Sequence, residues 1–251
     1  MRSDYRAWLE AQGFAPTTCT AQISRVQRIE ADYGPLDQIV AEGGFEALFL
    51  ALSYSTRDER QNRPNPSKFK IDGNIRTNLA SYKDALARYA RFLGAVFEAD
   101  TDTEAGRRPM SPGGYDPLSS DPASPEKQRL SLERDMQTAL RAHIATLEPG
   151  LTIIDDGAER AVLTGFIDIL ARDAQGTLVV IELKAGKTDA RVIGQVLGYM
   201  GDIGAEEDVP VRGLIVAHDF DTRTRSAARA VPNLGLVRYA VSFAFDRLDV
   251  P

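Results

Sequence analysis

The chain has very few of the residues that form disulfides or bind zinc. Cys19 is its single cysteine, and His143 and His218 are its two histidines among 251 residues. One cysteine cannot form an intramolecular disulfide, and three such side chains are too few for a Cys/His zinc centre. A metal site built from carboxylates remains open.

Long apolar segments are also absent. No stretch approaches the roughly 20 consecutive apolar residues that span a bilayer, and Met1-Arg2-Ser3-Asp4 does not begin the apolar segment of a signal peptide. Apolar residues nevertheless make up 43% of the chain and charged residues 26%, which is typical of a globular protein with a packed core. We therefore expect a folded cytoplasmic protein that has no contact with a membrane.

Positive charge is scarce overall but concentrated in one segment. The formal net charge is -6, so a polyanion would have to be met by a local basic patch. Between Arg57 and Arg91 the chain carries nine basic side chains against four acidic ones. A solvated helix face explains most such runs. The alternative is a nucleic-acid contact, for which the candidates are Arg76, Lys83, Arg88 and Arg91.

The spacing of apolar residues divides the chain into three parts. From Asp4 to Leu93 they recur every three or four residues, which predicts a small all-α bundle over residues 1–100. Residues 101–127 contain five prolines among glycines, serines and acids, which is typical of a linker. Residues 128–251 follow the order helix, hairpin, helix, strand, helix, strand, which predicts a mixed α/β domain.

Two carboxylates are expected to face each other in the predicted hairpin. Its strands lie at about 162–172 and 177–185, and Gly176 supplies the left-handed residue of the short turn. Because Asp168 and Glu182 are each seven residues from Gln175, they should be directly opposed, with Cβ atoms roughly 4.5–5.5 Å apart. Carboxylates this close repel each other and are costly to bury.

A divalent cation would resolve this repulsion. Mg²⁺ prefers oxygen ligands, and the backbone carbonyl of Leu183 can join Asp168 and Glu182. Lys184 lies two residues beyond Glu182, so the alternation of a strand places it on the same face. There it can balance the carboxylates and orient or help deprotonate the water that attacks a phosphodiester. A surface hairpin with a cross-strand charge cluster is the alternative.

One more carboxylate precedes this hairpin. A helix is predicted from Ser131, as its cap, to about Leu147, and Glu133 lies at the edge of its apolar stripe. The residues of this buried stripe are Leu132, Met136, Leu140, Ile144 and Leu147.

Three short motifs resemble the PD-(D/E)XK nuclease superfamily, and in particular its RecB-like branch. They are GFIDIL at 165–170, IELK at 181–184 and QVLGY at 195–199. The stretch from Leu130 to Phe245 is similar to the C-terminal nuclease module of NucS-type endonucleases. Ile167 stands where the superfamily motif has proline, which this branch commonly lacks. The N-terminal half does not resemble the corresponding domain of NucS-type enzymes, so mismatch specificity is not carried over.

The resemblance implies a restriction-endonuclease-like fold, a central mixed sheet flanked by helices. It also implies metal ligation by Asp168 and Glu182, catalysis by Lys184, and supporting roles for Glu133 and Gln195. Gln195 and Tyr199 are four residues apart and share one helix face. We expect Gln195 to face the site, whereas Tyr199 is either a nucleic-acid contact or a core residue.

These observations predict a metal-dependent DNA endonuclease that uses Mg²⁺ or Mn²⁺. The α/β domain would hydrolyse the phosphodiester, and the helical domain would position duplex or branched DNA. A homodimer and accessory proteins are left open. The alternatives are a catalytically silent DNA-binding module with a nuclease fold, and an RNA-directed or phage-defence nuclease effector.

Overall fold

The computed structural model describes residues 1–94, 125–155 and 159–241. The first range contains α1 (Tyr5–Ala11), α2 (Pro16–Tyr33), α3 (Leu36–Ala41), α4 (Phe45–Ala51), α5 (Thr56–Arg60) and α6 (Ile75–Phe92). The others contain α7 (Pro125–Ala142), a 3-10 helix (Ile144–Thr146), β1 (Thr152–Ile153), β2 (Arg160–Val162), β3 (Gly165–Ile167), β4 (Ile169–Arg172), β5 (Leu178–Thr188), α8 (Arg191–Glu206), β6 (Val211–Phe220), α9 (Thr222–Ala228) and β7 (Leu234–Arg238). Within these ranges, no helix has both the length and the apolar character needed to cross a bilayer.

The N-terminal helices form the bundle that the apolar spacing predicts. Tyr5, Leu9 and Leu86 are among the fully buried residues of its core. Asn74 caps α6, because its side-chain oxygen accepts a hydrogen bond from the Thr77 N–H at 2.8 Å. The short helix α5 lies in the polar segment between α4 and α6.

The α/β part is built on a five-stranded mixed sheet with the strand order β1-β4-β5-β6-β7. Strands β1, β4 and β5 pair antiparallel, whereas β5, β6 and β7 pair parallel. Strands β2 and β3 form a separate antiparallel hairpin. The fold class predicted for this half is therefore confirmed.

Helices cover both faces of the sheet. On one face, Ile181 and Leu183 of β5 pack in a cluster with Met136 and Leu140 of α7. On the other face, Val180 of β5 packs in a cluster that contains the buried side of α8. Because β5 is buried from both sides, a charged side chain on it needs a partner or a function.

Two sequence predictions about α7 are wrong. The helix begins at Pro125, so Ser131 lies inside it and does not cap it. Leu132, expected in the buried stripe, is 41% exposed. The helix also takes the last residues of the predicted linker, most of which lies outside the described residues. The division into domains stays a prediction.

The helical bundle packs directly against the β2–β3 hairpin. Ala161 of β2 and Phe166 of β3 are buried in the same apolar cluster as the bundle core. The contact between the two halves is therefore a packed interface, and it brings α6 close to the segment that precedes Asp168.

Candidate active site

The hairpin of β4 and β5 has the register expected from its turn. Ile169 pairs with Ile181, and Leu170 pairs with Val180. One further step along this register sets Asp168 opposite Glu182. Asp168 lies in the break between β3 and β4, and its Oδ2 atom accepts a hydrogen bond from the Leu183 N–H at 2.8 Å.

The backbone at Asp168 is held by two side chains of α7. Gln137 Nε2 and Arg141 Nη2 donate to the Asp168 carbonyl at 2.8 and 2.6 Å. Arg141 is itself fixed by a bidentate pair with buried Asp155, at 2.6 and 2.9 Å. The Asp155 carboxylate also accepts the Leu170 N–H at 2.8 Å. This network fixes the break between the strands and hence the direction of the Asp168 carboxylate.

Burial and crowding of negative charge raise the pKa of Asp168 well above its usual range. Desolvation is the larger cause, and the neighbouring Glu182 carboxylate adds to it. Glu182 is only 3% exposed, so little water screens this repulsion. The two carboxylates thus store unfavourable electrostatic energy that a cation would relieve.

Lys184 is the cation that the chain itself supplies. Its Nζ atom lies 3.0 Å from Glu182 Oε1. Burial by itself would lower the pKa of Lys184, but the carboxylates of Glu182, Asp168 and Glu133 outweigh it and raise the pKa. Lys184 is therefore an ammonium at neutral pH, which suits charge stabilisation better than proton abstraction.

Glu133 reaches the same strand from α7. Its Oε1 atom accepts a hydrogen bond from the N–H of Ala185, the residue after Lys184, at 2.9 Å. Although Glu133 was singled out only by its place near the core boundary and by the resemblance, it lies beside the end of the hairpin.

Gln195 and Tyr199 of α8 contact each other. Gln195 Nε2 donates to the Tyr199 hydroxyl at 2.9 Å. Tyr199 is 1% exposed and lies against Gly165, where an added Cβ would be 2.8 Å from the Tyr199 oxygen. Of the two alternatives stated for Tyr199, the structure has its ring in the core, and a nucleic-acid contact by this residue stays a prediction. Gln195 is half-buried beside it.

The basic face of α6 is used inside the molecule. Lys83 is 3% exposed and forms an ion pair with Glu206 at the end of α8. Arg160 also pairs with the Glu206 carboxylate, at 2.9 Å. Arg76 pairs with Glu207 next to it. These cations attach the helical bundle to the α/β half of the molecule.

The end of α6 reaches the segment before Asp168. Arg88 is 3% exposed and pairs with Asp84 at 3.0 Å, and its Nη2 atom donates to the Glu159 carbonyl at 3.2 Å. Arg91 pairs with the Glu159 carboxylate at 3.1 Å and lies 3.8 Å from the Phe166 ring centre. In this arrangement carboxylates of the chain already pair with Arg76, Lys83, Arg88 and Arg91. Phosphate contact by these side chains stays a prediction, and it would require these pairs to open.

Asp168 and Glu182 fit a cation that keeps much of its water. Among the described residues, no three Asp, Glu, His or Cys side chains cluster closely enough to enclose a metal. Mg²⁺ does not require such a cage, since one or two carboxylates with waters and substrate phosphates are its usual ligands in enzymes. The pair on the hairpin provides that number, and its mutual repulsion favours a cation.

A mixed sheet carrying an opposed Asp and Glu, with a Lys two residues further on, is the arrangement expected of a restriction-endonuclease-like module. Residues 132–233 match the family described as the endonuclease NucS C-terminal domain. The C-terminal part of the chain is therefore a NucS-like nuclease module.

Individual relatives match the same share of the chain. Endonuclease NucS of Thermococcus kodakarensis is 31% identical over 104 residues, which are 41% of this chain and 39% of the relative. Endonuclease NucS 2 of Halobacterium salinarum is 37% identical over 97 residues, 39% of this chain and 38% of the relative. The chain thus spans about two fifths of the length of these relatives.

Solved structures with similar chains include a repair endonuclease from Pyrococcus abyssi, with a TM-score of 0.39 and 24% identity over 43% of this chain and 46% of that one. An EndoMS–dsDNA complex has a TM-score of 0.40 and 21% identity over 52% of this chain and 51% of that one.

Sequence reasoning missed the residues that hold Asp168 in place. Gln137 and Arg141 follow Glu133 at intervals of four, so the three side chains share one face of α7. This polar row, running beside the apolar stripe of the helix, was the available signal. Asp155, by contrast, precedes the hairpin in an irregular segment and is recognisable only from the fold.

Proposed function

We propose that this chain is a metal-dependent DNA endonuclease that hydrolyses phosphodiester bonds with Mg²⁺ or Mn²⁺. The observation that carries the proposal is the buried hairpin on which Asp168 and Glu182 oppose each other with Lys184 beside them. The match of this half to the NucS C-terminal domain supports the same reaction, since the relatives are named endonucleases.

Asp168 and Glu182 would hold the cation, together with the backbone carbonyl of Leu183. The bound cation would stabilise negative charge on the phosphoryl oxygens. The Leu183 N–H keeps one Asp168 oxygen directed toward β5, while Gln137 and Arg141 hold the Asp168 backbone. The two carboxylates thus meet the substrate in a fixed arrangement, and little reorganisation is needed during reaction.

Lys184 would orient the attacking water and stabilise the developing charge. Because its pKa is raised by the surrounding carboxylates, it acts as an ammonium donor rather than as a base. Glu133 supports the strand next to Lys184, and Gln195 would act through its place on α8. Proton removal from the water would then fall to a carboxylate or to the solvent.

DNA is the substrate proposed, in duplex or branched form. It would have to approach the nuclease centre without help from Lys83 or Arg88, which are buried in ion pairs. The helical bundle would stabilise the nuclease half. The face of α6 that packs against that half would not contact DNA. A homodimer, accessory proteins and cytoplasmic location stay predictions.

A cleavage panel tests the proposal. Single-stranded, duplex, branched and mismatched DNA, together with RNA, are incubated with the protein with and without Mn²⁺ and with Mg²⁺. We expect cleavage of DNA only when a divalent cation is present, and none by the Asp168→Asn variant. Binding without cleavage would indicate a silent DNA-binding module, and cleavage confined to RNA would indicate an RNA-directed effector.

A further inference from the structure

Strand β5 departs from regular pairing directly after Lys184. Lys184 pairs with Ala217 of β6, but the next paired residue on β5 is Lys187, which pairs with Asp219. Three steps on one strand match two on the other, so β5 has an extra residue at Ala185–Gly186. Such a bulge interrupts the ladder and redirects the neighbouring side chains.

Both peptide groups of Ala185 are held by side chains instead of by the ladder. Its N–H donates to Glu133 Oε1 at 2.9 Å, and its carbonyl accepts a hydrogen bond from the Tyr239 hydroxyl at 2.5 Å. Ala185 is 7% exposed, so these groups have little access to water and need such partners. The bulge is therefore clamped from two directions.

Tyr239 is well anchored for this contact. It follows β7, and its own N–H donates to the carbonyl of Ala217, the residue paired with Lys184, at 3.1 Å. Its ring packs edge-on against His218, with 5.9 Å between ring centres. Burial and the nearby Glu133 carboxylate raise the pKa of Tyr239, so the hydroxyl keeps its proton and remains a donor.

We infer that Tyr239 is a positioning residue for Lys184, acting through the Ala185 carbonyl. The Tyr239 hydroxyl and the Glu133 carboxylate together fix the backbone of the bulge. The bulge directly follows Lys184, and its fixed backbone holds the Lys184 side chain beside Glu182. Tyr239 lies outside residues 132–233, which match the NucS C-terminal family. The inference rests on the proposed function, because it assigns a role in the nuclease reaction.

The variant Tyr239→Phe removes the hydroxyl and keeps the ring. Tyr54→Phe is the matched control, because the Tyr54 hydroxyl also donates to a backbone carbonyl, that of Arg63, at 2.6 Å in the helical bundle. Single-turnover cleavage is measured at saturating Mn²⁺ and DNA. We expect the rate constant of Tyr239→Phe to fall about 10–100-fold, as for other residues that orient a reacting group, and that of Tyr54→Phe to stay unchanged.

Two further readouts separate positioning from a general loss of structure. The concentrations of Mn²⁺ and DNA that give half the maximal rate should be the same in Tyr239→Phe and wild type. Hydrogen exchange of the Ala185 amide should be faster in Tyr239→Phe, because the clamp has lost one of its two contacts.

An unchanged cleavage rate in Tyr239→Phe would overturn the inference, and so would an equal slowing in Tyr54→Phe or a parallel loss of Mn²⁺ affinity. Failure of the wild-type chain to cleave any nucleic acid is a different result, which overturns the proposed function and the catalytic part of the inference with it. In that case the exchange rate of the Ala185 amide still decides whether Tyr239 holds the bulge.

Discussion

Two of the places where the molecule buries charge differ in the balance of that charge. At the interface between α6 and α8, the Glu206 carboxylate lies between Lys83 and Arg160. On the β4–β5 hairpin, the carboxylates of Asp168 and Glu182 lie beside the ammonium of Lys184. Among the described contacts, the interface sets two cations beside one carboxylate, whereas the hairpin sets one ammonium beside two carboxylates.

The pKa values of the carboxylates Glu206 and Asp168 follow this balance, although burial lowers the pKa of Lys83. Burial disfavours the charged form of Glu206, but Lys83 and Arg160 outweigh it, so the pKa of Glu206 is lowered. Burial and Glu182 act in the same direction on Asp168, and its pKa is raised. A matched cluster is a structural contact between two parts of the chain. A cluster with more carboxylates than cations is electrostatically unfavourable to bury. A role in binding a cation for a reaction would explain why the chain contains it.

The largest expected difference between the clusters is in metal binding. Asp168→Asn or Glu182→Gln removes one of two anionic ligands, so calorimetric titration should show loss or strong weakening of Mn²⁺ binding. Glu206→Gln removes a largely buried carboxylate at the interface and should leave Mn²⁺ affinity unchanged. Unchanged affinity in both hairpin variants would contradict the metal site.

The free energy of unfolding should show the opposite contrast, because here the interface cluster has the larger effect. Lys83→Met leaves the buried Glu206 with one cation fewer, and breaking a buried ion pair typically costs about 3–5 kcal/mol of unfolding free energy. The double variant Lys83→Met/Glu206→Met should recover much of that loss, because no uncompensated charge remains. Urea denaturation measures both. A Lys83→Met protein as stable as wild type would show that the interface pair contributes little.

The interface should also make the protein sensitive to acid. Because the pKa of Glu206 is lowered from its usual 4.5, its contribution to stability is present above pH 4.5 and is lost as the pH falls through the folded-state value. Denaturation midpoints measured from pH 7 downward should fall less steeply in Glu206→Gln than in wild type. Glu46→Gln, at an exposed position, is the control and should keep the wild-type slope.

The smallest expected effect concerns DNA contact by the basic face of α6. Arg91 is already paired with Glu159, so Arg91→Gln should leave the slope of log affinity against log salt concentration unchanged. A slope reduced by about one would mean that Arg91 releases Glu159 and binds a phosphate. Fluorescence anisotropy at several salt concentrations distinguishes the two results.

The features of the site that could be predicted from the sequence are those that depend on local geometry. A short turn around Gly176 fixes the register of the hairpin, and with it the opposition of Asp168 and Glu182. The ion pair of Lys83 was not foreseen, because its partner Glu206 is more than a hundred residues away and belongs to another structural layer. The bulge at Ala185 was also missed, since a one-residue irregularity in β5 depends on how β6, β7 and α7 pack around it.

The central claim, that the unmatched cluster on the hairpin is a nuclease centre, is tested most directly at Lys184. The measurement is single-turnover cleavage by Lys184→Met at saturating Mn²⁺, with Lys187→Met as a control on the same strand, where Lys187 is 62% exposed. Loss of one preorganised charge-stabilising group should slow Lys184→Met by on the order of 10²–10³-fold, while a thermal melt and DNA binding show a folded protein and Lys187→Met cleaves normally. A folded Lys184→Met protein that cleaves at the wild-type rate would contradict the account.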